Sequence, residues 1–196
     1  MDDQIEEESK WDLQQDLYKI DLLNLFSYIL KSAFEELKTT DSNKMVLIGL
    51  VKSLTNIIDK CEHTINRIPE LKNLIKNRIV ELVGQLLLTF DSKCLKNTCQ
   101  LILTLFKRLR HLLKKELYIL LDMIIINSLR SSTSEFYQKH YLLNLISNLL
   151  SQKDILVDIF TNYDCCPGYG NTLSKIFATL CICMSRSRDH EERVRA

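Results

Sequence analysis

A chain of 196 residues amounts to one domain, and with 46% hydrophobic and 26% charged residues it can bury a core of its own. A formal net charge of +1 excludes a global field that would draw the protein to nucleic acid, and no run reaches the roughly 18 apolar residues of a membrane span. With only 4 Gly and 2 Pro to punctuate the chain, long uninterrupted elements are expected.

The opening stretch, Met1 to Glu8, is acidic, the opposite of a signal peptide's basic start. It reads as an acidic tail over 1–10. From there on apolar residues recur at helical spacing and no stretch alternates at period two. The first helix is expected from Trp11 to Leu37, with Leu13, Leu17, Ile20, Leu23, Phe26 and Ile29/Leu30 along one face. Trp11 either covers the end of the first hairpin or marks where a preceding domain packs. Asp41 and Ser42 offer an N-cap for a helix through Val46, Leu50, Leu54 and Ile58. Pro69 suits the first turn of the next, through Leu71, Leu74, Ile79, Leu82 and Leu86. Asp91 and Ser92 cap a helix carrying Leu95, Cys99, Ile102, Leu105 and Leu109.

A break is expected near His111, followed by a helix through Leu117, Leu121, Ile124 and Leu129. Ser132 with Glu135 has the spacing of a capping box ahead of Phe136, Leu142, Leu145, Ile146 and Leu149. A short helix from about Gln152 to Phe160 leads into a loop from Asn162 to Gly170. Asn171 then caps a last helix to about Met184, and 185–196 reads as a charged, frayed tail. About eight helices with a start signal every 20 or so residues suggest antiparallel hairpins stacked as an α-solenoid of armadillo or HEAT type over 11–184. A compact helical bundle is the alternative that the pattern leaves open, because no repeat consensus is visible.

The 7 cysteines are an odd number without paired CxxC spacing, as expected of reduced thiols in the cytosol. Cys61-x-His63 lacks a second ligand pair for zinc. Cys181 and Cys183, two apart on a helix, point about 200° apart. Cys165-Cys166 could ligate only if other residues converge on them. Most of these thiols read as small buried hydrophobes. No nucleophile has the sequence context of a catalytic arrangement, and Gly168-Tyr169-Gly170 reads as a turn, with no Gly-rich phosphate loop anywhere. The expectation is no catalytic site, metal or cofactor.

Two stretches carry candidate contacts. The run Lys107-Arg108-Leu109-Arg110-His111-Leu112-Leu113-Lys114-Lys115 holds five fixed positive charges and no acid. On one helix Lys107, Arg110, His111 and Lys114 would share a face, suited to anionic lipid headgroups or an acidic partner, or else solvated. Asn162-Tyr163-Asp164-Cys165 follows a helix end whose last carbonyls lack intrahelical partners. Asn162 and Asp164 can bond nearby backbone, and Tyr163 suits either an inter-helix seam or a partner surface. The group therefore either ties the loop to adjacent helices or presents it to another protein.

These residues carry a resemblance. Leu113-Lys114-Lys115-Glu116-Leu117, Ser131-Ser132-Thr133-Ser134-Glu135-Phe136, and Leu156-Val157-Asp158-Ile159-Phe160 running into Asn162-Tyr163-Asp164-Cys165 look like the homology-upstream-of-SEC-seven (HUS) region of the large Arf guanine-nucleotide exchange factors. That family's box reads Asn-Tyr-Asp-Cys-Asp; four positions match, and Cys166 stands where the fifth has Asp. The resemblance spans about residues 20–185, with its specific part in 113–165, and Ser131–Ser134 leans toward the brefeldin-inhibited, trans-Golgi branch. It implies a non-catalytic regulatory module, with the nucleotide-exchange domain elsewhere in the parent protein. It further implies as partners an N-terminal dimerisation and cyclophilin-binding domain and small GTPases of the Arf family, with Asn162, Tyr163, Asp164 and Cys165 as the protein-binding residues. The implied location is cytoplasmic, peripheral on Golgi or trans-Golgi membranes. The other reading is a generic helical scaffold in which the box is a chance match.

Overall fold

A computed structural model describes residues 2–39, 44–88, 91–131 and 134–195, with side chains described from 17 to 185 within those spans. All regular structure among them is helical. The elements are α1 (Asp2–Lys38), α2 (Lys44–Lys60), the single turn α3 (Glu62–Ile65), α4 (Pro69–Leu87), α5 (Ser92–Arg108) and α6 (Lys114–Tyr118). A π-helical segment, Ile119–Ile125, joins α6 without a break to α7 (Ile126–Arg130). Then follow α8 (Phe136–Leu150), α9 (Lys153–Ile159) with a π-helical turn Phe160–Asp164, and α10 (Thr172–Arg195).

The helices pack in two rows. α1, α4, the continuous helix of residues 114–130 and α10 follow one another in the first, and α2, α5, α8 and α9 in the second. Chain neighbours cross between rows, α1 to α2, α4 to α5 and α7 to α8. This is the pairing expected of stacked helical hairpins. α5 is the middle of the second row, packed on α2, α4 and α8, and accordingly Leu101 to Phe106 is an unbroken buried run rather than a stripe. α2, by contrast, buries one face only, through Leu47, Ile48, Val51, Leu54 and Ile58.

The core is almost wholly aliphatic. Its fully buried polar side chains among the described residues are Thr98, Thr104, Thr172 and Thr179. Each is satisfied locally, three by donating to the carbonyl four residues earlier and Thr172 by donating to the Gly170 carbonyl.

Several helix ends follow the sequence reading. Pro69 opens α4, and the Asp91 carboxylate accepts from Cys94 N at 2.7 Å at the start of α5. Others differ. Glu135 itself occupies the N-cap of α8, with extended backbone and no side-chain capping bond, so it is not the third helical residue of a capping box; Ser132 lies outside the described residues. The Asp41/Ser42 cap and the Trp11 side chain also lie outside them. α1 is already helical at Asp2 and α10 continues to Arg195, across both stretches read as tails. Asn162–Asp164 is not loop: α9 runs on through the π-helical turn to Asp164.

Candidate functional site

The box is built where α9 ends against the first row of helices. Widening the helix into a π turn aims Tyr163 inward, where it is buried beside Tyr118 of α6 and Tyr169 of the following loop. The three rings lie 4.7–5.6 Å apart, centroid to centroid, in tilted and edge-on arrangements that favour aromatic contact. Burial pushes the Tyr163 phenol well above its ordinary value, with Tyr169, Asp158 and Glu116 adding to the rise. Of the two roles open to Tyr163, the inter-helix seam is the one it fills.

Asp164 turns its carboxylate to the start of α10. Oδ1 accepts from Thr172 N at 2.7 Å, and Oδ2 from Leu173 N at 3.2 Å. The negative charge also meets the positive end of that helix. Asp164 therefore does the capping that sequence reasoning assigned to Asn171; a side chain eight residues upstream outcompetes the adjacent one because the π turn delivers it there. The intervening loop closes through Gly168, whose φ of 101° favours glycine, and through Gly170, whose N donates to the Tyr118 hydroxyl at 3.2 Å.

Cys165 is exposed and Asn162 half-buried, and Val157 and Phe160, earlier on the same helix, are each half exposed. Of the four box residues, Tyr163 and Asp164 are thus the pair that builds the corner.

A polar lattice behind the corner was not legible in the sequence. Lys175 of α10 donates to both Asp122 oxygens, at 2.7 and 3.0 Å, and the Tyr118 hydroxyl donates to Asp122 at 3.4 Å. The Asp122 contact raises the Lys175 pKa. Arg130 Nε donates to Thr179 Oγ1 at 2.9 Å. Lys175 and Asp122 are 53 residues apart and Arg130 and Thr179 are 49 apart, so no local pattern marks those pairs.

The basic run is not one helix face. α5 stops at Arg108 and α6 starts at Lys114, because Leu109 and Leu113 both turn into the core and force a corner between them. Lys107 ends α5, Arg110 lies in the corner, and Lys114 opens α6. Arg108 pairs with Asp59 at 2.9 Å and Glu62 at 3.5 Å, and Arg110 pairs with Asp158 of α9. Lys107 and Arg110 share a hollow of about 310 Å³ with Gln152, Lys153 and Asp154, while Lys107 and Lys114 are exposed. Among the described residues no group of three His, Cys, Asp or Glu could hold a metal, and no helix is long and apolar enough to cross a membrane. Of the seven free cysteines, Cys94 and Cys99 alone are buried; the expectation that most would be core residues was wrong, because Cys61 at a helix end and Cys183 against α7 are only partly buried, Cys165 and Cys166 fall in the loop, and Cys181 is exposed on α10.

Comparison with known proteins agrees with the family resemblance. A sequence model of the HUS domain of Mon2/Sec7/BIG1-like proteins matches residues 18–172. Brefeldin A-inhibited guanine nucleotide-exchange protein 4 of Arabidopsis thaliana is 35% identical over 79 residues, which are 40% of this chain and 5% of that protein. Protein 3 of the same name and organism is 38% identical over 69 residues, 35% of this chain and 4% of its own length. The match thus spans a small fraction of those relatives. No solved structure matches the chain. With the box assembled and the match covering α1 to the start of α10, the chain belongs to the HUS-domain family of the Mon2/Sec7/BIG1-like proteins.

Proposed function

We propose that this chain is a non-catalytic regulatory module of a large Arf guanine-nucleotide exchange factor. It docks the factor's N-terminal dimerisation and cyclophilin-binding domain together with small GTPases of the Arf family. Through those contacts it controls Arf activation in vesicle traffic, on the cytoplasmic face of Golgi membranes. The observation that carries this reading is the division of the box. Tyr163 and Asp164 hold the corner rigid, and a rigid loop loses little conformational freedom on binding. At that corner Cys165 is exposed and Asn162 half-buried, and Val157 and Phe160 of the same helix are half exposed. Such a small apolar patch with a polar edge is the anatomy of a protein-binding site. Lys107, Arg110 and Lys114 supply a second contact, for anionic headgroups or an acidic partner, with the exposed lysines contributing more than the paired Arg110.

The test is calorimetric titration of the chain with the N-terminal domain of the same exchange factor. Asn162→Ala and Phe160→Ala should each weaken binding about fivefold or more while leaving the melting temperature unchanged. Binding that survives both substitutions would move the interface off the box. No binding by the wild type would leave a helical scaffold without this partner.

A further inference from the structure

We propose that the open side of α5 is a docking strip for an acidic polypeptide segment, held by Lys52, Lys93, Lys96, Lys107 and Lys153. The net charge of +1 conceals an uneven distribution. α1 carries ten acidic and four basic side chains, whereas α5 and α8 contain no Asp or Glu at all. α5 packs on α2, α4 and α8, which leaves it one open side. Lys93, Lys96, Gln100 and Lys107 fall on that side at helical spacing, and all four are exposed. The neighbouring helices extend the strip. Arg108 and Asp59, paired at 2.9 Å, each stand in the last turn of their helices, so α2 and α5 run side by side in the same direction. Lys52, two turns before Asp59 on the same face of α2, is exposed and comes level with Gln100. At the far end Lys153 joins Lys107 around the hollow between α5 and α9, with Asp154 at its edge.

The charge of this strip is not compensated from within. Arg108 and Arg110 have carboxylate partners in Asp59, Glu62 and Asp158, but the five lysines pair with none among the described residues. Like charges one turn apart repel, as at Lys93 and Lys96, and a partner that brings carboxylates relieves the repulsion. Shape selects a polypeptide over a lipid surface. Leu101 to Phe106 is buried on every side, so α5 lies recessed between its flanking helices. None of its exposed side chains is a large hydrophobic that could anchor in a bilayer. From Lys93 to Lys107 the strip is about 21 Å long, the length of six or seven extended residues. Exposed ion pairs are individually weak, so affinity rests on several at once and falls with salt. The strip shares Lys107 with the second contact named above but uses none of the box residues, so it stands or fails apart from docking of the N-terminal domain.

Fluorescence anisotropy on the full chain tests this, with a labelled peptide of about twelve residues that alternates Glu and Ser. Binding should have a Kd on the order of 10–100 µM at about 50 mM salt and weaken tenfold or more by about 300 mM. The double variant Lys93→Glu/Lys96→Glu should weaken binding at least tenfold with its circular dichroism unchanged, and Lys52→Glu and Lys107→Glu should each weaken it severalfold. Lys76→Glu, on α4 in the other row, should leave it unchanged. A wild type that does not bind the peptide at low salt overturns the proposal. So does equal weakening by Lys76→Glu, which would mean attraction without a site. Vesicles containing about one-third phosphatidylserine serve as the other arm. Retention on them that is lost in Lys93→Glu/Lys96→Glu, without peptide binding, would assign the strip to a membrane and overturn the polypeptide partner.

Discussion

Single side chains in this protein gain their meaning from position rather than type. Cys99 illustrates it. Its thiol is buried between α5 and α8, donating weakly to the Tyr141 carbonyl, and burial pushes its pKa from 9.0 to about 12. A thiol whose folded pKa exceeds its unfolded one holds its proton more tightly in the native state. The stability it contributes is whole below about pH 9 and is lost as pH rises toward 12. Urea unfolding across that window should therefore show declining stability in the wild type and a shallower decline in Cys99→Ala; parallel curves would disprove the assignment. Tyr163 acts in the same direction, losing its contribution only above the ordinary phenol range. Cys165 carries the same thiol in an exposed place in the loop.

At the scale of elements, helix ends decide where the site is. α10 starts where Asp164 can accept from Thr172 and Leu173, and α9 has to widen into a π turn to bring that carboxylate across. Asp164→Ala leaves those amides without acceptor and removes a charge from the helix N-terminus. It should cost about 1–2 kcal/mol, measured by urea denaturation, with Asp164→Asn losing roughly half as much. A destabilisation confined to partner affinity, with unchanged unfolding, would show that Asp164 belongs to the interface and not to the corner. The same logic breaks the basic run: two leucines, Leu109 and Leu113, each worth burying, turn the face expected of Lys107, Arg110 and Lys114 into a corner.

Across the whole molecule, each helix meets its neighbours in the two rows, and α4 and α5 hold the middle of them; α5 is the central member of the second row. Its residues meet α2, α4 and α8 at once, so Leu105, fully buried, sits where both halves of the array depend on it. Leu105→Ala should cost about 3 kcal/mol and lower amide protection throughout α2, α4, α5 and α8 in native-state hydrogen exchange. Ile176→Ala, in a helix whose main partners are α7 and the π turn, should release α10 and α7 and leave α2 and α5 protected. Equal loss of protection across the chain in both variants would mean that the array unfolds as one unit.

The helical class, the start of α4 at Pro69, the Asp91 cap and the family were legible in the sequence because each is a local signal. Period and capping residues act over a turn or two, and the box lies within four consecutive positions. The tyrosine cluster of Tyr118, Tyr163 and Tyr169, the Asp122–Lys175 bond and the true cap of α10 join residues 6 to 53 positions apart, where no spacing rule applies. Direction is the other thing the sequence lacks. Which of Asn162, Tyr163, Asp164 and Cys165 turns inward depends on a π turn, and that turn forms because the neighbouring helices offer Tyr163 a buried place and Asp164 an uncapped helix end. Composition and period determined that the chain is helical; only the packing of those helices decided which box residues are built into the corner and which are left exposed.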